Sequence, residues 1–206
     1  MDIDVLHMKC IAIMGGTFNP VHIGHVRMAR KVLSLKHDID RLVFMPNNLP
    51  AYKDKRELID TEHRINMLKL ALADYPDMSV STLEIDRGGV TYTADTLDEL
   101  LRVNPHLKIY FIMGMDSLKS LHLWHRYKDV VDNCHLLVFD RDVDINKNKD
   151  IDSYIYGNAK IEYIHNDKMD VSSSEIRKLI SDGNMPYKLL PDGVSDYIIE
   201  HGLYVN

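Results

Sequence analysis

Short runs of apolar residues recur along the chain and alternate with longer stretches in which apolar residues are spaced three or four apart. Such runs are typical of strands buried on both faces, and such spacing is typical of helices that cover a sheet. The predicted strands are 9–14, 41–45, 78–85, 108–113, 135–139 and 160–164. The predicted helices are 22–35, 61–73, one from about 93 to 101, 116–132, one that opens at 172–177, and 194–201.

The alternation of strands with helices predicts an α/β fold: a doubly wound, Rossmann-like parallel sheet with a helical segment at the C-terminal end. Its ligand crevice should lie outside the carboxyl ends of the strands. No internal repeat or linker interrupts the pattern, so we expect a single domain over residues 1–206. Residues 1–8 fall outside the pattern and receive no place in the predicted fold.

Composition excludes several classes of protein. The apolar content of 45% and the charged content of 27% are ordinary for a soluble globular chain. The net charge of −6 argues against a general nucleic-acid coat. No apolar run approaches the roughly 20 residues that span a bilayer, and residues 1–7 do not have the pattern of a signal peptide. Two widely spaced cysteines predict free thiols and a cytoplasmic location. The oligomeric state stays open, a homo-oligomer included.

The junction between the first predicted strand and the first predicted helix contains the largest group of candidate ligand-binding residues. An apolar run ends in Gly15 and Gly16, and a helix begins near His22, three residues before His25. Glycines let a backbone approach a ligand closely, and a helix N-terminus directs free N–H groups at the same place. Both histidines fall on one side of the first helical turn. The junction therefore predicts a polyphosphate site.

Two other interpretations of this junction stay open. A strand, a glycine pair and a helix also form a common α/β connection that needs no ligand. The spacing of His22 and His25 suits half a zinc site, although neither Cys10 nor Cys134 has zinc-ligand spacing. A carboxylate as third ligand would complete such a metal site.

A second phosphate candidate is the serine run at 172–174, followed by Arg177 about one turn into a helix. Hydroxyls and N–H groups at a helix start donate to phosphate, and a guanidinium can bind two phosphate oxygens at once. Helix capping by serine, with a solvated arginine, accounts for the same residues.

Three further residues each have a structural and a functional interpretation. Trp124 is the single tryptophan, and it either packs in the core or stacks on a planar heterocycle. Asp116 follows a strand that Gly114 ends, and it either caps a helix or accepts hydrogen bonds from ribose. Lys53 follows the second strand and is either solvated or directed toward the crevice.

The string Gly-Thr-Phe-Asn-Pro-Val-His-Ile-Gly-His at 16–25 resembles the GTFxPxHxGH signature of the HxGH nucleotidyltransferases, which join a nucleotide to a phosphate. Segment 172–177 is similar to the (I/V)SSTxIR segment of that superfamily, with Ser174 where threonine is usual. Segments 81–84 with 91–97, 111–118 with Trp124, and 197–204 resemble those of bacterial nicotinate-nucleotide adenylyltransferases. The resemblance runs from about residue 9 to the C-terminus.

The resemblance implies that the phosphate of nicotinate mononucleotide attacks the α-phosphorus of ATP, with Mg²⁺ carried by ATP and no metal site built by the protein. Catalytic roles are implied for His22, His25, Lys53 and Arg177. Together with the residue patterns, it predicts ATP contacts from Gly15, Gly16, Thr17, Phe18, His22, His25, Gly114, Asp116, Ser173, Ser174 and Arg177. It predicts contacts to nicotinate mononucleotide from Tyr92, Thr93, Asp116, Trp124 and Lys53.

The sequence departs from the family pattern in two places. The family usually shows PPHK or PPHR after the second strand, whereas Tyr52 precedes Lys53 here. An Arg-Pro-Gly turn is often found after the fifth strand, where this chain has Asp-Arg-Asp at 140–142. Three alternatives remain open: a nicotinamide-mononucleotide adenylyltransferase, another HxGH enzyme such as phosphopantetheine adenylyltransferase or a cytidylyltransferase, and a non-catalytic nucleotide-sensing module.

Overall fold

The computed structural model describes residues 3–51, 58–140, 157, 159–165 and 171–205. The strands are β1 (Cys10–Gly16), β2 (Arg41–Pro46), β3 (Leu49–Pro50), β4 (Met78–Val80), β5 (Val90–Thr91), β6 (Lys108–Gly114), β7 (His135–Asp140) and β8 (Ile161–His165). The helices are α1 (Ile23–Leu35), α2 (Thr61–Ala71), α3 (Leu83–Arg87), α4 (Thr93–Val103), α5 (Met115–Ser120), α6 (Tyr127–Asn133), α7 (Ser173–Ser181) and α8 (Val194–Glu200).

Six strands form a parallel sheet in the order β4-β2-β1-β6-β7-β8. The strand order reverses between β1 and β6, which lie side by side at the centre with Ile11 opposite Ile109. In doubly wound sheets a ligand crevice opens at this switch point, beyond the carboxyl ends of the strands. The predicted fold is confirmed, and the glycine pair that ends β1 lies at the switch point. A separate pair, β3 with β5, joins Leu49 to Val90.

Helices pack on both faces of the sheet. Along β1, Ala12 and Met14 belong to the core cluster under α1, α2, α7 and α8, whereas Ile11 and Ile13 belong to the cluster under α3 to α6. This alternation explains why the central strands are continuous apolar runs, because side chains on both faces are buried. Within the described ranges, none of the helices is both long and apolar enough to cross a membrane.

Two features near the chain's start become clear only in the structure. Ile3 and Val5 are buried in the second core cluster, so part of the segment without a predicted place packs under the sheet. The side-chain amide of Asn104 fixes it by donating to the carbonyl of Val5 at 3.0 Å. Cys10 and Cys134 are free and buried, as expected, and burial raises the pKa of their thiols to about 11 and about 12.

The prediction of a strand over 78–85 is wrong beyond Val80. The chain turns there and forms α3 from Leu83. The hydroxyl of Ser81 accepts from the N–H of Leu83 at 3.3 Å, and the hydroxyl of Thr82 donates to the Asp86 carboxylate at 2.7 Å. Local side-chain bonds of this kind compete with strand pairing, so a short helix replaces the second half of the predicted strand.

The prediction of one helix over 116–132 is also wrong. Helix α5 ends at Ser120, a single 3₁₀ turn follows, and Trp124 has extended backbone before α6 begins. Arg126 adopts left-handed backbone with a φ of 51° at the start of α6. Its guanidinium pairs with Asp98 of α4 at 2.7 Å and with Asp129 of α6 at 2.5 Å. These ion pairs connect the start of α6 to α4 at the break.

Candidate active site

The two histidines of the β1–α1 junction form a stacked pair. Their ring centroids are 3.7 Å apart and their planes are inclined by 27°. His22 occupies the N-cap of α1, and its backbone N–H donates to the Nδ1 atom of His25 at 3.2 Å. In a neutral ring whose Nδ1 accepts, the proton resides on Nε2. His25 is therefore oriented as a donor through Nε2.

Burial keeps His22 neutral. The residue is only 8% exposed, and this desolvation lowers the pKa of its imidazole to about 4. Its Nδ1 atom is buried as well. At neutral pH the pair therefore supplies at least one uncharged imidazole, which can donate to a phosphate oxygen without bringing a fixed charge.

The glycine between the two histidines is a steric requirement. A β-carbon on Gly24 would lie 2.9 Å from Nδ1 of His22 and 3.0 Å from a methyl carbon of Val171, which precedes α7. Only a residue without a β-carbon allows the ring of His22 and this segment to approach the helix so closely. Sequence reasoning missed this role, although the position lies inside the recognised string.

The loop after β1 is shaped by a buried aromatic ring. Phe18 has left-handed backbone with a φ of 50°, and its side chain is buried. Its ring lies edge-on to His25 at 5.0 Å, and a β-carbon on Gly16 would lie 3.0 Å from it. The ring of Phe18 thus packs against the imidazole of His25. Any ATP contact from Phe18 would have to come from its backbone.

The second phosphate candidate is brought against the same loop. Arg177 donates from Nη1 to the carbonyl of Asn19 at 2.9 Å, and Ser173 donates to the carbonyl of Pro20 at 2.9 Å. Ser172 caps α7, since its hydroxyl accepts from the N–H of Glu175 at 3.2 Å. Ser172 therefore caps the helix, Ser173 joins the loop after β1, and phosphate binding by this segment stays a prediction. Ser174, one residue further, is exposed.

A tyrosine near the C-terminus fixes the loop from another side. The hydroxyl of Tyr204 donates to Oδ1 of Asn19 at 2.9 Å. Burial raises the pKa of Tyr204 well above its usual range, so the hydroxyl keeps the proton that this bond requires. The closing segment of the chain thus supports the loop after β1.

A fully buried arginine was absent from the predicted site. Arg64 of α2 has no exposed surface, and it donates from Nη1 to the carbonyl of Thr17 at 2.9 Å and from Nη2 to the carbonyl of Asn48 at 3.3 Å. The sequence does contain a signal that Arg64 is buried. Arg64 shares a helical face with Met67 and Leu68, which are buried, and a charge on an apolar face needs an explanation.

Three of the residues predicted to bind the pyridine nucleotide, Tyr92, Thr93 and Trp124, lie at or near the start of α4. Tyr92 is the N-cap of α4 and Thr93 its first residue. The ring of Tyr92 lies 4.6 Å from that of His125, next to Trp124. The indole of Trp124 is partly buried, edge-on to Phe111 at 6.4 Å. These contacts favour the core interpretation of Trp124, and the platform interpretation stays a prediction.

The remaining predicted residues lie at two strand ends. Gly114 ends β6 and is the N-cap of α5, so the interpretation of Asp116 as a helix cap is wrong. Asp116 is exposed in the first turn of α5, beside the switch point. Gly15 lies opposite, near the end of β1. Lys53 and Tyr52 lie outside the described residues, as does most of the charged run that begins at Asp140.

A buried carboxyl group supports α4. Glu84 of α3 is 6% exposed, and burial raises the pKa of its side chain to about 7. The hydroxyl of Thr96 donates to its Oε1 atom at 2.8 Å. Arg87 in turn donates to the Thr96 hydroxyl at 3.1 Å. This network anchors the first turn of α4 against α3.

The described residues contain no cluster of side chains that could form a metal site. Over the described ranges, no three His, Cys, Asp or Glu side chains gather closely enough to hold a metal ion. The zinc interpretation of His22 and His25 therefore has no third ligand in these ranges.

Comparisons with known proteins identify the family of this chain. A sequence profile described as cytidylyltransferase-like matches residues 13–179. The chain is 40% identical over 206 residues to a probable nicotinate-nucleotide adenylyltransferase of Lachnoclostridium phytofermentans, covering 96% of this chain and 100% of the relative. It is 37% identical over 196 residues to a probable nicotinate-nucleotide adenylyltransferase of Streptococcus pyogenes, covering 95% and 89% of the two chains.

A solved structure has the same fold. Plasmodium falciparum nicotinic acid mononucleotide adenylyltransferase complexed with NaAD superposes with a TM-score of 0.79 at 23% identity, covering 95% of this chain and 97% of that one. At this identity the likeness shows the fold alone. The profile match and the curated relatives show the family: this chain belongs to the cytidylyltransferase-like family and, within it, to the nicotinate-nucleotide adenylyltransferases.

Proposed function

We propose that this protein transfers the adenylyl group of ATP to nicotinate mononucleotide, forming nicotinate adenine dinucleotide and pyrophosphate. The observation that carries the proposal is the stacked His22–His25 pair at the N-terminus of α1, at the switch point of the sheet. The curated relatives support the choice of substrates through their names.

The reaction is an in-line displacement at phosphorus. A phosphate oxygen of the mononucleotide forms a bond to the α-phosphorus of ATP, and the bond from that phosphorus to the bridging oxygen breaks. The electron pair leaves with pyrophosphate. Such a step needs positioned substrates and charge stabilisation rather than a covalent protein intermediate.

The chain offers several donors for that charge. The Nε2–H of His25 would donate to an oxygen of the transferring phosphate, while neutral His22 would donate beside it. The N–H groups at the start of α1 point the same way. Arg177 and Ser173 would assist from α7 through the loop they hold, and the resemblance gives Lys53 a similar role on the mononucleotide's phosphate.

The nicotinate end would bind at the start of α4. Backbone N–H groups near Tyr92 and Thr93 are suited to a carboxylate, because they lie at a helix N-terminus. Trp124 would stack on the pyridine ring. Asp116 at the switch point would accept from a ribose hydroxyl. Mg²⁺ would bind ATP phosphate oxygens and water and neutralise their charge.

A turnover assay with three acceptors tests the proposal. The purified protein is incubated with ATP, Mg²⁺ and nicotinate mononucleotide, nicotinamide mononucleotide or phosphopantetheine in turn. We expect pyrophosphate and dinucleotide in equal amounts, with the highest kcat/KM for nicotinate mononucleotide. Preference for another acceptor would indicate a sister enzyme, and binding without turnover would indicate a nucleotide-sensing module.

A further inference from the structure

Arg64 contacts two loops of the site at once. Its Nη1 donates to the carbonyl of Thr17, in the loop after β1, and its Nη2 donates to the carbonyl of Asn48, in the segment after β2. Both acceptors are main-chain atoms. The guanidinium therefore fixes the backbone path of both loops from the helix beneath them.

The second loop continues to the start of α4. The N–H of Asn48 donates to the hydroxyl of Thr91 at 3.0 Å, and its side-chain amide donates to the carbonyl of Gly89 at 2.9 Å. Thr91 belongs to β5, which pairs with β3 and directly precedes Tyr92. A continuous series of hydrogen bonds thus runs from Thr17 through Arg64 and Asn48 to the start of α4.

Packing alone does not account for a guanidinium at this position. Arg64 is fully buried, and it has no ion pair with a carboxylate among the residues that the structure describes. Its Nε atom is buried there without a hydrogen bond. An unpaired buried charge destabilises a fold relative to an apolar side chain of similar volume. The feature that Arg64 adds is its simultaneous bond to two carbonyls, which a planar fork can make.

We propose that Arg64 is a positioning residue that couples the two substrate sites. By holding Thr17 and Asn48 together, Arg64 makes the placement of the ATP loop depend on whether the pyridine-nucleotide site is occupied. In the same way, the placement of the pyridine-nucleotide site depends on whether ATP is bound. The inference rests on the proposed function, because it assigns the loop after β1 to ATP and the start of α4 to the mononucleotide. The direct contact between Asn47 and Gly16 joins the same loops where β1 and β2 end, whereas Arg64 joins them through α2.

Binding thermodynamics test the coupling. The affinity for α,β-methylene-ATP with Mg²⁺, which undergoes no transfer, is measured by calorimetry with and without saturating nicotinate mononucleotide. The ratio of the two dissociation constants is the coupling factor, and coupling between sites is typically about 5-fold to 150-fold. We expect a factor in this range for the wild type and a factor near unity for Arg64→Met, which lacks both donors.

Two further variants separate coupling from simple loss of stability. Met67→Ala removes a fully buried side chain one turn along α2 that has no N–H group to donate to either loop, so it should lower the melting temperature and keep the wild-type factor. Arg64→Lys keeps the charge without the planar fork. It should bind the ATP analogue alone within about threefold of the wild type, yet have a reduced coupling factor and a kcat lower by about tenfold or more, since misplaced substrates react slowly.

Several outcomes would overturn the inference: no coupling in the wild type, wild-type coupling in Arg64→Met or Arg64→Lys, or an equal loss in Met67→Ala. If Arg64→Met does not fold, Arg64→Lys decides the question. Failure of the proposed function is distinguishable, because the wild type would then form no dinucleotide. An active wild type whose coupling does not depend on Arg64 overturns this inference alone.

Discussion

A β-carbon on Gly24 would lie only 2.9 Å from the Nδ1 atom of His22, closer than side-chain carbons pack in proteins. The ring of His22 therefore folds back over the helix start only because residue 24 is a glycine. The same absence of a β-carbon lets Val171 approach the helix. The glycine of the histidine motif thus sets the geometry of the stacked pair and admits the segment that leads into α7.

Replacing Gly24 tests this steric account. Within a helix, glycine to alanine ordinarily stabilises by about 0.5–1 kcal/mol. Here Gly24→Ala should instead lower the melting temperature and reduce kcat by about tenfold or more, because the imidazole is displaced from its working position. Thermal melts and steady-state kinetics measure both effects.

The control is a double-mutant cycle with His22. In a His22→Ala background the added methyl group no longer meets the ring, so Gly24→Ala should destabilise less than it does in the wild type. An alanine variant that is more stable than the wild type and fully active would contradict the steric account.

Trp124 distinguishes a stacking platform from a core residue. If Trp124 is a platform, Trp124→Ala should weaken the binding of nicotinate mononucleotide by about 1–3 kcal/mol, which appears as a higher KM. The binding of ATP should be unchanged. Trp124→Phe should recover much of the loss, since its ring still offers a face. As a core residue, Trp124→Ala should cost about 3–5 kcal/mol of folding stability and impair both substrates.

Fluorescence gives a second measure of the same residue. Trp124 is the single tryptophan of the chain, so its emission reports on one site. Nicotinate mononucleotide should quench this emission saturably. An unchanged spectrum at concentrations that saturate turnover would exclude direct stacking and favour a core role for Trp124.

Glu84 should make stability depend on pH. Its folded-state pKa of about 7 lies above the ordinary value of 4.5, so the folded protein holds a proton that the unfolded chain has lost. The stability that this proton contributes is complete below pH 4.5 and is lost as the pH rises through 7.

Glu84→Gln keeps the neutral form at every pH. Relative to the wild type, its free energy of unfolding should therefore rise by roughly 3 kcal/mol between about pH 4.5 and 7.5. Urea unfolding at both pH values measures the change. A constant difference between Glu84→Gln and the wild type would show that Glu84 is ionised in the folded protein at neutral pH.

The local sequence pattern was sufficient to predict an element where a single spacing of apolar residues dominates. The central strands were predicted because side chains on both faces are buried, as Ile11 and Ala12 show on opposite sides of β1. The histidine junction was predicted because its glycines and imidazoles are adjacent in the chain. In both cases the determining contacts lie within a few residues.

Long-range contacts explain what local pattern missed. The predicted helix over 116–132 is broken where Arg126 pairs with Asp98, some thirty positions earlier in the chain. Arg64 lies 47 positions from Thr17, and the two meet only in the folded protein. A charge on the apolar face of α2 signals burial, but only the structure shows that its partners are the carbonyls of two loops.

In the proposed reaction the stacked imidazoles stabilise the transferring phosphate, and the His25→Ala variant removes one of them. The kcat for adenylyl transfer from ATP to nicotinate mononucleotide is compared with that of the wild type and of His37→Ala, an exposed histidine beyond the other end of α1. We expect kcat to fall by about two orders of magnitude or more for His25→Ala, the scale of losing one preorganised donor, while His37→Ala stays active. If the kcat of His25→Ala stays within about threefold of the wild-type value, His25 does not stabilise the transferring phosphate, because losing such a donor costs far more.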